Sequence, residues 1–252
     1  MTSDHALIVQ GLRKRFGEVE VLGGVDARLR RGKITAFIGP NGAGKTTLFH
    51  AVTGELKPDS GRVVLEGREI TRREPWEIAR LGVGRLFQEV RVFPGLSVWD
   101  NVIAALQRPS DRRLGASLLR GDHSLQAAKE EASALLDRVG VDGRRDGPAA
   151  ELSWGNQKLL AFARLLAGEH RLVLLDEPTA GVAPALGVRL KELIRLLAGE
   201  RGVTVGLIEH DMKFVADLAD AVVVLRDGKL FDHGPTTEVL SRPATVELCL
   251  GL

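Results

Sequence analysis

The chain has 252 residues, of which 44% are hydrophobic and 27% are charged, and its formal net charge is +2. This length suits one or two domains with a substantial core, and the small charge argues against a protein that binds nucleic acid through a strong positive field. A single cysteine, Cys249, excludes an internal disulfide framework and is typical of a reducing compartment. We expect no signal peptide and no membrane-spanning segment, and therefore a cytoplasmic protein.

A short β unit opens the chain. Apolar runs at 7–9 and 25–29 predict strands, with a turn near Phe16 and Gly17. Further strands are predicted at 61–65 and at 83–87, and the second of these leads into Gln88.

The most informative segment lies between these strands. It comprises Gly39, Pro40, Asn41, Gly42, Ala43, Gly44, Lys45, Thr46 and Thr47. The segment fits the phosphate-binding loop pattern, with a predicted strand at 34–38 before it and a predicted helix at 45–52 after it. Backbone N–H groups of such a loop and the helix N-terminus bind phosphate. Lys45 can reach the terminal phosphates and the Thr46 hydroxyl can ligate Mg²⁺, so a plain glycine-rich turn is disfavoured.

The middle of the chain, from about 94 to about 150, changes character. Apolar residues at helical spacing predict helices at 98–106, with Ser97 as N-cap, and at 125–139. The stretch 108–122 is predicted to be a mobile loop. We interpret this region as a helical insertion between two α/β halves.

The second half predicts a β–α–β unit. Its strands are expected at 171–175 and 203–208 and its helix at 184–197, an order that implies a parallel sheet. The Asp227-Gly228 pair predicts a hairpin between strands at 221–225 and 229–232. Short helices are expected from 235 to 252.

Two carboxylates follow the strand at 171–175. Asp176 at the strand end is suited to hold Mg²⁺, and Glu177 is suited to polarise water toward a γ-phosphate. Farther back, Ser153 and Gly155 precede a helix predicted at 157–166, which gives a second anion-binding helix start. Ser153 as an ordinary N-cap is the simpler interpretation of that segment taken alone.

The motifs together resemble the nucleotide-binding subunit of ABC transporters. The order is the phosphate loop, Gln88, Leu152-Ser153-Trp154-Gly155-Asn156, Asp176-Glu177 and His210. The resemblance covers nearly the whole chain. It implies an α/β fold in which a P-loop NTPase core with a mostly parallel sheet carries an N-terminal antiparallel β subdomain, and a helical subdomain is inserted before the signature motif. The implied ABC-type ATP-binding domain, 1–252, divides into a core with the β subdomain, 1–93 and 168–252, and a helical signature subdomain, 94–167.

The same resemblance implies ATP and Mg²⁺ as cofactors and gives further residues a role. Phe16 is expected to stack on adenine, and His210 to contact the γ-phosphate. Gln88 is expected to sense Mg²⁺ and couple to membrane subunits. Ser153 and Gly155 are expected to act across a head-to-tail dimer. The catalytic set is then Glu177, His210, Lys45 and Gln88, and the metal set is Thr46, Gln88 and Asp176.

Three positions depart from the family pattern. Trp154 stands where the signature has Gly, and Asn156 where it has Gln. Ala183 stands where many relatives have Asp or Asn, which puts a polar contact across the dimer in doubt. Since Ser153 and Gly155 remain, we expect activity to be kept.

The aromatic Trp154, the run at 208–212 and the long segment at 101–127 are most similar to ATPases of branched-chain amino acid importers. Urea, amide and lipopolysaccharide-export ATPases share part of this pattern. The implied partners are transmembrane permease subunits, a second ATPase subunit and, indirectly, a substrate-binding protein, without nucleic acid. The implied location is peripheral, on the cytoplasmic face of the inner or cell membrane.

Other functions explain less of the sequence. An ABC-type ATPase acting on DNA or ribosomes normally carries a long coiled coil, zinc motifs or two cassettes in one chain, which the sequence lacks. A small-molecule kinase leaves Ser153, Gly155 and His210 unexplained. A GTPase is disfavoured because the sequence contains no Asn-Lys-x-Asp motif.

Overall fold

A computed structural model describes residues 4–106, 122–141 and 143–250. The chain divides into two compact units. The first comprises the chain up to Arg85, the segment Arg171–Pro178 and the chain from Ile194 onward, and the second comprises Leu86–His170 and Thr179–Leu193.

The part of the chain that the structure describes contains ten strands, which belong to two sheets. In chain order they are β1 (His5–Phe16), β2 (Val19–Arg30), β3 (Ile34–Ile38), β4 (Ser60–Leu65), β5 (Arg68–Glu69), β6 (Val83–Leu86), β7 (Leu172–Asp176), β8 (Thr204–Ile208), β9 (Ala221–Arg226) and β10 (Lys229–Pro235). The described helices are α1 (Lys45–Val52), α2 (Pro75–Arg80), α3 (Val98–Leu106), α4 (Asp122–Val139), α5 (Trp154–Ala167), α6 (Pro184–Gly199), α7 (Met212–Leu218), α8 (Thr236–Val239) and α9 (Pro243–Leu250).

The first unit contains an antiparallel sheet in the order β2-β1-β4-β5. Its strands are longer than the apolar runs predicted, because cross-strand pairing extends each strand beyond its apolar stretch. Along β2, buried Val25, Ala27 and Leu29 alternate with exposed positions, the pattern of a sheet with one face on a core.

The second sheet has the order β10-β9-β3-β8-β7-β6. Strand β3 pairs parallel with β8 and β9, β7 pairs parallel with β8, and β10 is antiparallel to β9. Every residue of β3, β7 and β8 is buried, as expected for parallel strands covered on both faces. The predicted hairpin is present, with positive φ at both Asp227 and Gly228.

The mostly parallel sheet and the separate antiparallel sheet confirm the predicted fold class. Within residues 4–106, 122–141 and 143–250, none of the helices has the length and apolar character needed to cross a bilayer.

Helices α3, α4 and α5 pack on one another in the second unit around buried residues such as Val102, Leu136 and Phe162. Ser97 caps α3, since its Oγ accepts the N–H of Asp100 at 3.0 Å. Helix α5 begins at Trp154, three residues before the predicted start, because the cap at Ser153 already initiates the helix. The loop predicted at 108–122 lies outside the described residues up to position 121.

Candidate functional site

The sheet order determines which predicted site residues meet in the first unit. Strands β3, β8 and β7 are parallel neighbours, so their carboxyl ends share one edge of the sheet. The phosphate loop follows β3, Asp176 is the last residue of β7 and Glu177 follows it, and His210 follows β8. The edge thus gathers three segments that are far apart in sequence.

Three glycines of the loop, Gly39, Gly42 and Gly44, have φ of +137°, +80° and +94°. A Cβ on Gly39 would lie 2.1 Å from the backbone oxygen of Leu225, and one on Gly44 would lie 2.7 Å from that of Val21. Those two glycines therefore let the loop pack against neighbouring backbone. A Cβ on Gly42 would meet nothing within 4 Å, so this glycine borders the open side of the loop.

The Lys45 side chain forms hydrogen bonds with the backbone of the phosphate loop. Its Nζ donates to the backbone oxygens of Gly39 at 2.7 Å and of Pro40 at 2.9 Å, and the residue is buried. Burial lowers the pKa of Lys45 below that of an ordinary lysine, and the nearby Glu177 carboxylate opposes this shift. The hydrogen bonds therefore hold the Lys45 ammonium group in a fixed position inside the phosphate loop.

Thr46 and Asp176 lie together beside the loop. The Thr46 Oγ1 is 3.4 Å from Asp176 Oδ1, and the other carboxylate oxygen, Oδ2, accepts from Arg85 Nη2 at 3.1 Å. The side chain of Asp176 is only 3% exposed. Burial raises the pKa of Asp176, and the Arg85 guanidinium acts against that rise.

A hydroxyl and a carboxylate are hard oxygen donors of the kind that Mg²⁺ prefers. Among the described residues, no group of three or more His, Cys, Asp or Glu is arranged to hold a metal ion. Mg²⁺ is commonly bound through one or two carboxylates with substrate phosphates and waters. The pair Thr46 and Asp176, next to a phosphate loop, therefore fits a magnesium ion that arrives with a nucleotide.

Glu177 and His210 form a direct contact. His210 Nε2 lies 2.8 Å from Glu177 Oε1, while the Glu177 backbone N–H donates to Ile208 O at 3.0 Å. Glu177 has φ of +47°, a left-handed conformation that is costly for a residue with a Cβ. The structure places this carboxylate at the edge of the sheet in spite of its strained backbone.

Phe16 ends strand β1 with half of its surface exposed, at 51%. Lys14 Nζ lies 5.5 Å from the centre of the Phe16 ring. An exposed aromatic ring on the unit that carries the phosphate loop is available for stacking.

The second unit carries Gln88, Ser153 and Gly155. Gln88 lies in the bend after β6 and is exposed. Ser153 caps α5, because its Oγ accepts the Asn156 N–H at 3.3 Å. Gly155 lies in the first turn of α5, where a Cβ would come within 3.2 Å of Leu186 Cδ2.

Two contacts escaped prediction. The contact of Arg85 with Asp176 was not predicted. A charged residue within the otherwise apolar strand β6 is the sequence signal that points to it. In the second unit, fully buried Lys158 donates to Ala180 O at 3.2 Å, and its Nζ lies 4.5 Å from the centre of the Trp154 ring. Trp154 thus covers a buried cation and remains 44% exposed.

The first unit also contains a groove of about 700 Å³, which does not coincide with the predicted site. It is lined by residues of β2, β3, β9 and β10 such as Arg28, Thr35, Val222 and His233. None of the predicted site residues lines it. The phosphate loop is therefore not part of the wall of this groove.

A glycine-rich loop between a buried strand and a helix, an internal lysine and a hydroxyl–carboxylate pair define a P-loop nucleotide-binding protein. The sequence pattern of the family described as "ABC transporter" matches residues 22–180. The chain belongs to this ABC transporter ATP-binding family, and like its members it is an ATPase.

Two curated relatives and one solved structure illustrate the similarity. The LivG high-affinity branched-chain amino acid transport ATP-binding protein of Salmonella typhimurium is 35% identical over 252 residues, covering 99% of both chains. The corresponding BraF protein of Pseudomonas aeruginosa is 36% identical over 248 residues, covering 97% of both chains. A nucleotide-free ATP-binding cassette from an ABC transporter is 32% identical, with a TM-score of 0.81 over 97% of this chain and 98% of that one.

Proposed function

We propose that this chain is the ATP-hydrolysing subunit of an importer for branched-chain amino acids or related amino acids, amides or urea. The observation that carries the proposal is the similarity to LivG, which extends over 99% of each chain. The site at the sheet edge adds the chemistry that such a subunit needs.

The phosphate loop binds the nucleotide in this proposal. Backbone N–H groups of residues 39–47 and the N-terminus of α1 face the phosphates. Lys45 exchanges its bonds to Gly39 O and Pro40 O for phosphate oxygens. Phe16 stacks on the adenine ring.

Thr46, Asp176 and Gln88 hold Mg²⁺, which supplies charge neutralisation for the transferred phosphoryl group. Asp176 serves this role as a buried carboxylate with one oxygen directed to Thr46. Gln88 senses the Mg²⁺ and couples the nucleotide site to the membrane subunits.

Glu177 positions and polarises the attacking water, and His210 holds the Glu177 carboxylate while offering a contact to the γ-phosphate. Two cassettes close head to tail, with Ser153 and Gly155 of one covering the nucleotide of the other. In each cassette the phosphate loop belongs to the proposed core, 1–93 and 168–252, and Ser153 and Gly155 belong to the proposed signature subdomain, 94–167. Hydrolysis then reopens the dimer.

The proposed partners are permease subunits in the membrane, a second ATPase subunit that is either a copy or a sibling cassette, and indirectly a substrate-binding protein. The subunit acts at the cytoplasmic face of the inner or cell membrane as a peripheral protein. No nucleic acid takes part.

The first test is to purify the tagged chain from detergent-solubilised native membranes and to identify its partners by mass spectrometry. We expect polytopic permeases and a second ATPase, and loss of leucine, isoleucine and valine uptake in cells that lack the chain. Lipopolysaccharide-export components as partners would redirect the proposal to that system. Ribosomes or DNA as partners, with ATPase activity stimulated by them, would overturn the transport function.

Nucleotide preference is tested separately. ATP is expected to compete for the site much better than GTP, since the sequence contains no guanine-reading Asn-Lys-x-Asp motif. A clear preference for GTP would contradict the assignment.

A further inference from the structure

The interior of strand β6 contains an arginine that the function described above does not use. The Arg85 side chain is only 5% exposed and ion-pairs with two carboxylates, Glu55 and Asp176. Its Nη1 donates to Glu55 Oε1 at 3.0 Å and to Thr53 Oγ1 at 3.3 Å, and its Nη2 donates to Asp176 Oδ2 at 3.1 Å. These charge-assisted hydrogen bonds hold the buried guanidinium group in one orientation.

The two arms of Arg85 connect both ends of helix α1. Thr53 is the C-cap of α1, and Glu55 lies two residues farther along the chain. The Thr53 Oγ1 donates to Glu55 Oε1 at 3.0 Å. At the other end of the helix, the Thr46 Oγ1 lies 3.4 Å from Asp176 Oδ1. Asp176 is therefore tied to the first turn of the helix directly and to its last turn through Arg85.

This arrangement fixes which carboxylate oxygen is available. Arg85 occupies Oδ2 of Asp176, so Oδ1 stays directed at the Thr46 hydroxyl, the side on which Mg²⁺ is proposed to bind. One guanidinium pairs with two carboxylates here, so Arg85 can orient Asp176 without neutralising the whole cluster.

We propose that Arg85 is a positioning residue that orients Asp176 for the magnesium ion and so sets the Mg²⁺ affinity of the nucleotide site. The inference rests on the proposed function, because it assigns the metal to Thr46 and Asp176. Groups that orient metal-binding carboxylates typically change metal affinity 10–100-fold when removed.

The test measures binding of a fluorescent, non-hydrolysable ATP analogue to the full chain, first with EDTA and then during titration with Mg²⁺. For Arg85→Met we expect the apparent Mg²⁺ affinity to fall by about 10–100-fold, while the metal-free nucleotide affinity stays within about twofold of wild type. Arg85→Lys is expected to fall in between, because an ammonium cannot bridge Glu55 and Asp176 as the guanidinium fork does.

Arg31→Met is the matched control. It removes an arginine–glutamate ion pair, with Glu66, in the same unit, but at the turn before β3, opposite the phosphate loop. This variant should keep the wild-type Mg²⁺ affinity. Thermal unfolding establishes that each variant is folded.

A folded Arg85→Met variant with wild-type Mg²⁺ affinity would overturn the inference. An equal loss of metal-free nucleotide binding would overturn it too, because a general distortion of the loop would then explain the result. If the methionine variant does not fold, Arg85→Lys decides by the same criteria. Absence of any Mg²⁺ effect in wild type would instead refute the metal site of the proposed function.

Discussion

His210 Nε2 lies 2.8 Å from Glu177 Oε1, although the two residues are 33 positions apart in the chain. The contact exists because β7 and β8 are adjacent and parallel, so Glu177 and His210 leave the sheet at the same edge. A carboxylate held by an imidazole in this way is restricted to one direction, which is what positioning of a water molecule requires.

Removing the charge of Glu177 should stop hydrolysis without stopping binding. Glu177→Gln keeps the size of the side chain but cannot accept a proton, so we expect turnover to fall by about 10²–10⁴-fold while the variant still binds ATP and dimerises. Phosphate release and equilibrium ATP binding measure the two properties. Glu131→Gln, on the exposed face of α4, is the control. Near-normal turnover in Glu177→Gln would remove Glu177 from the proposed role.

The backbone of Glu177 makes a separate prediction about stability. At φ of +47°, the left-handed backbone lowers the free energy of unfolding by about 1–2 kcal/mol for alanine but not for glycine. The greater entropy of the unfolded chain lowers it by about 0.4–1 kcal/mol for glycine relative to alanine. Glu177→Gly should therefore be more stable than Glu177→Ala by about 0.5–1 kcal/mol in urea unfolding.

The same pair of substitutions at Glu131, within helix α4, should give the opposite order, with glycine less stable by about 1 kcal/mol. If alanine were the more stable residue at both positions, the left-handed conformation of Glu177 would be refuted.

Two glycines of the phosphate loop should respond differently to alanine. Gly39→Ala places a Cβ 2.1 Å from Leu225 O, so the loop must shift, and we expect a loss of at least about 2 kcal/mol in the free energy of unfolding. Gly42→Ala meets no neighbour within 4 Å. It should cost about 1 kcal/mol, from its positive φ, and should mainly weaken ATP binding.

Urea unfolding and ATP titration of the two variants provide the measurement. Equal destabilisation by Gly39→Ala and Gly42→Ala would show that the close approach to Leu225 is not present in solution.

Asp59 predicts a pH dependence of stability near Phe16. Its carboxylate accepts the Arg15 backbone N–H at 2.7 Å and the Lys14 ammonium at 3.0 Å, and these hydrogen bonds lower the pKa of Asp59 below its ordinary value of 3.8. A lowered folded-state pKa stabilises the protein above the unfolded-state value, and this stabilisation is lost as the pH falls through the folded-state value.

Asp59→Asn should therefore be less stable than wild type at pH 7, and the difference should shrink as the pH falls below about 3.8. Urea unfolding at a series of pH values measures this gap, with Glu131→Gln as the reference variant. A gap that is constant from pH 7 to the lowest accessible pH would contradict the assigned contacts of Asp59.

Local patterns in the amino-acid sequence are enough to predict the motifs of this protein. The spacing of Gly39, Gly44 and Lys45 predicts the phosphate loop because the chemistry of the loop needs those residues at those separations. The acidic pair at 176–177 follows an apolar run and predicts carboxylates at the end of a strand, where nucleotide chemistry needs them. Motifs in a fixed order then identified the family, which the comparisons confirmed.

Which side chains meet at the site depends on the order of the strands in the folded sheet. The order of β3, β8 and β7 brings His210 to Glu177, and the position of β6 next to β7 brings Arg85 to Asp176. Neither pairing follows from local spacing, because the order of strands in a sheet is set by burial of whole elements against one core. Buried polar groups then form hydrogen bonds with the partners that this packing brings close to them.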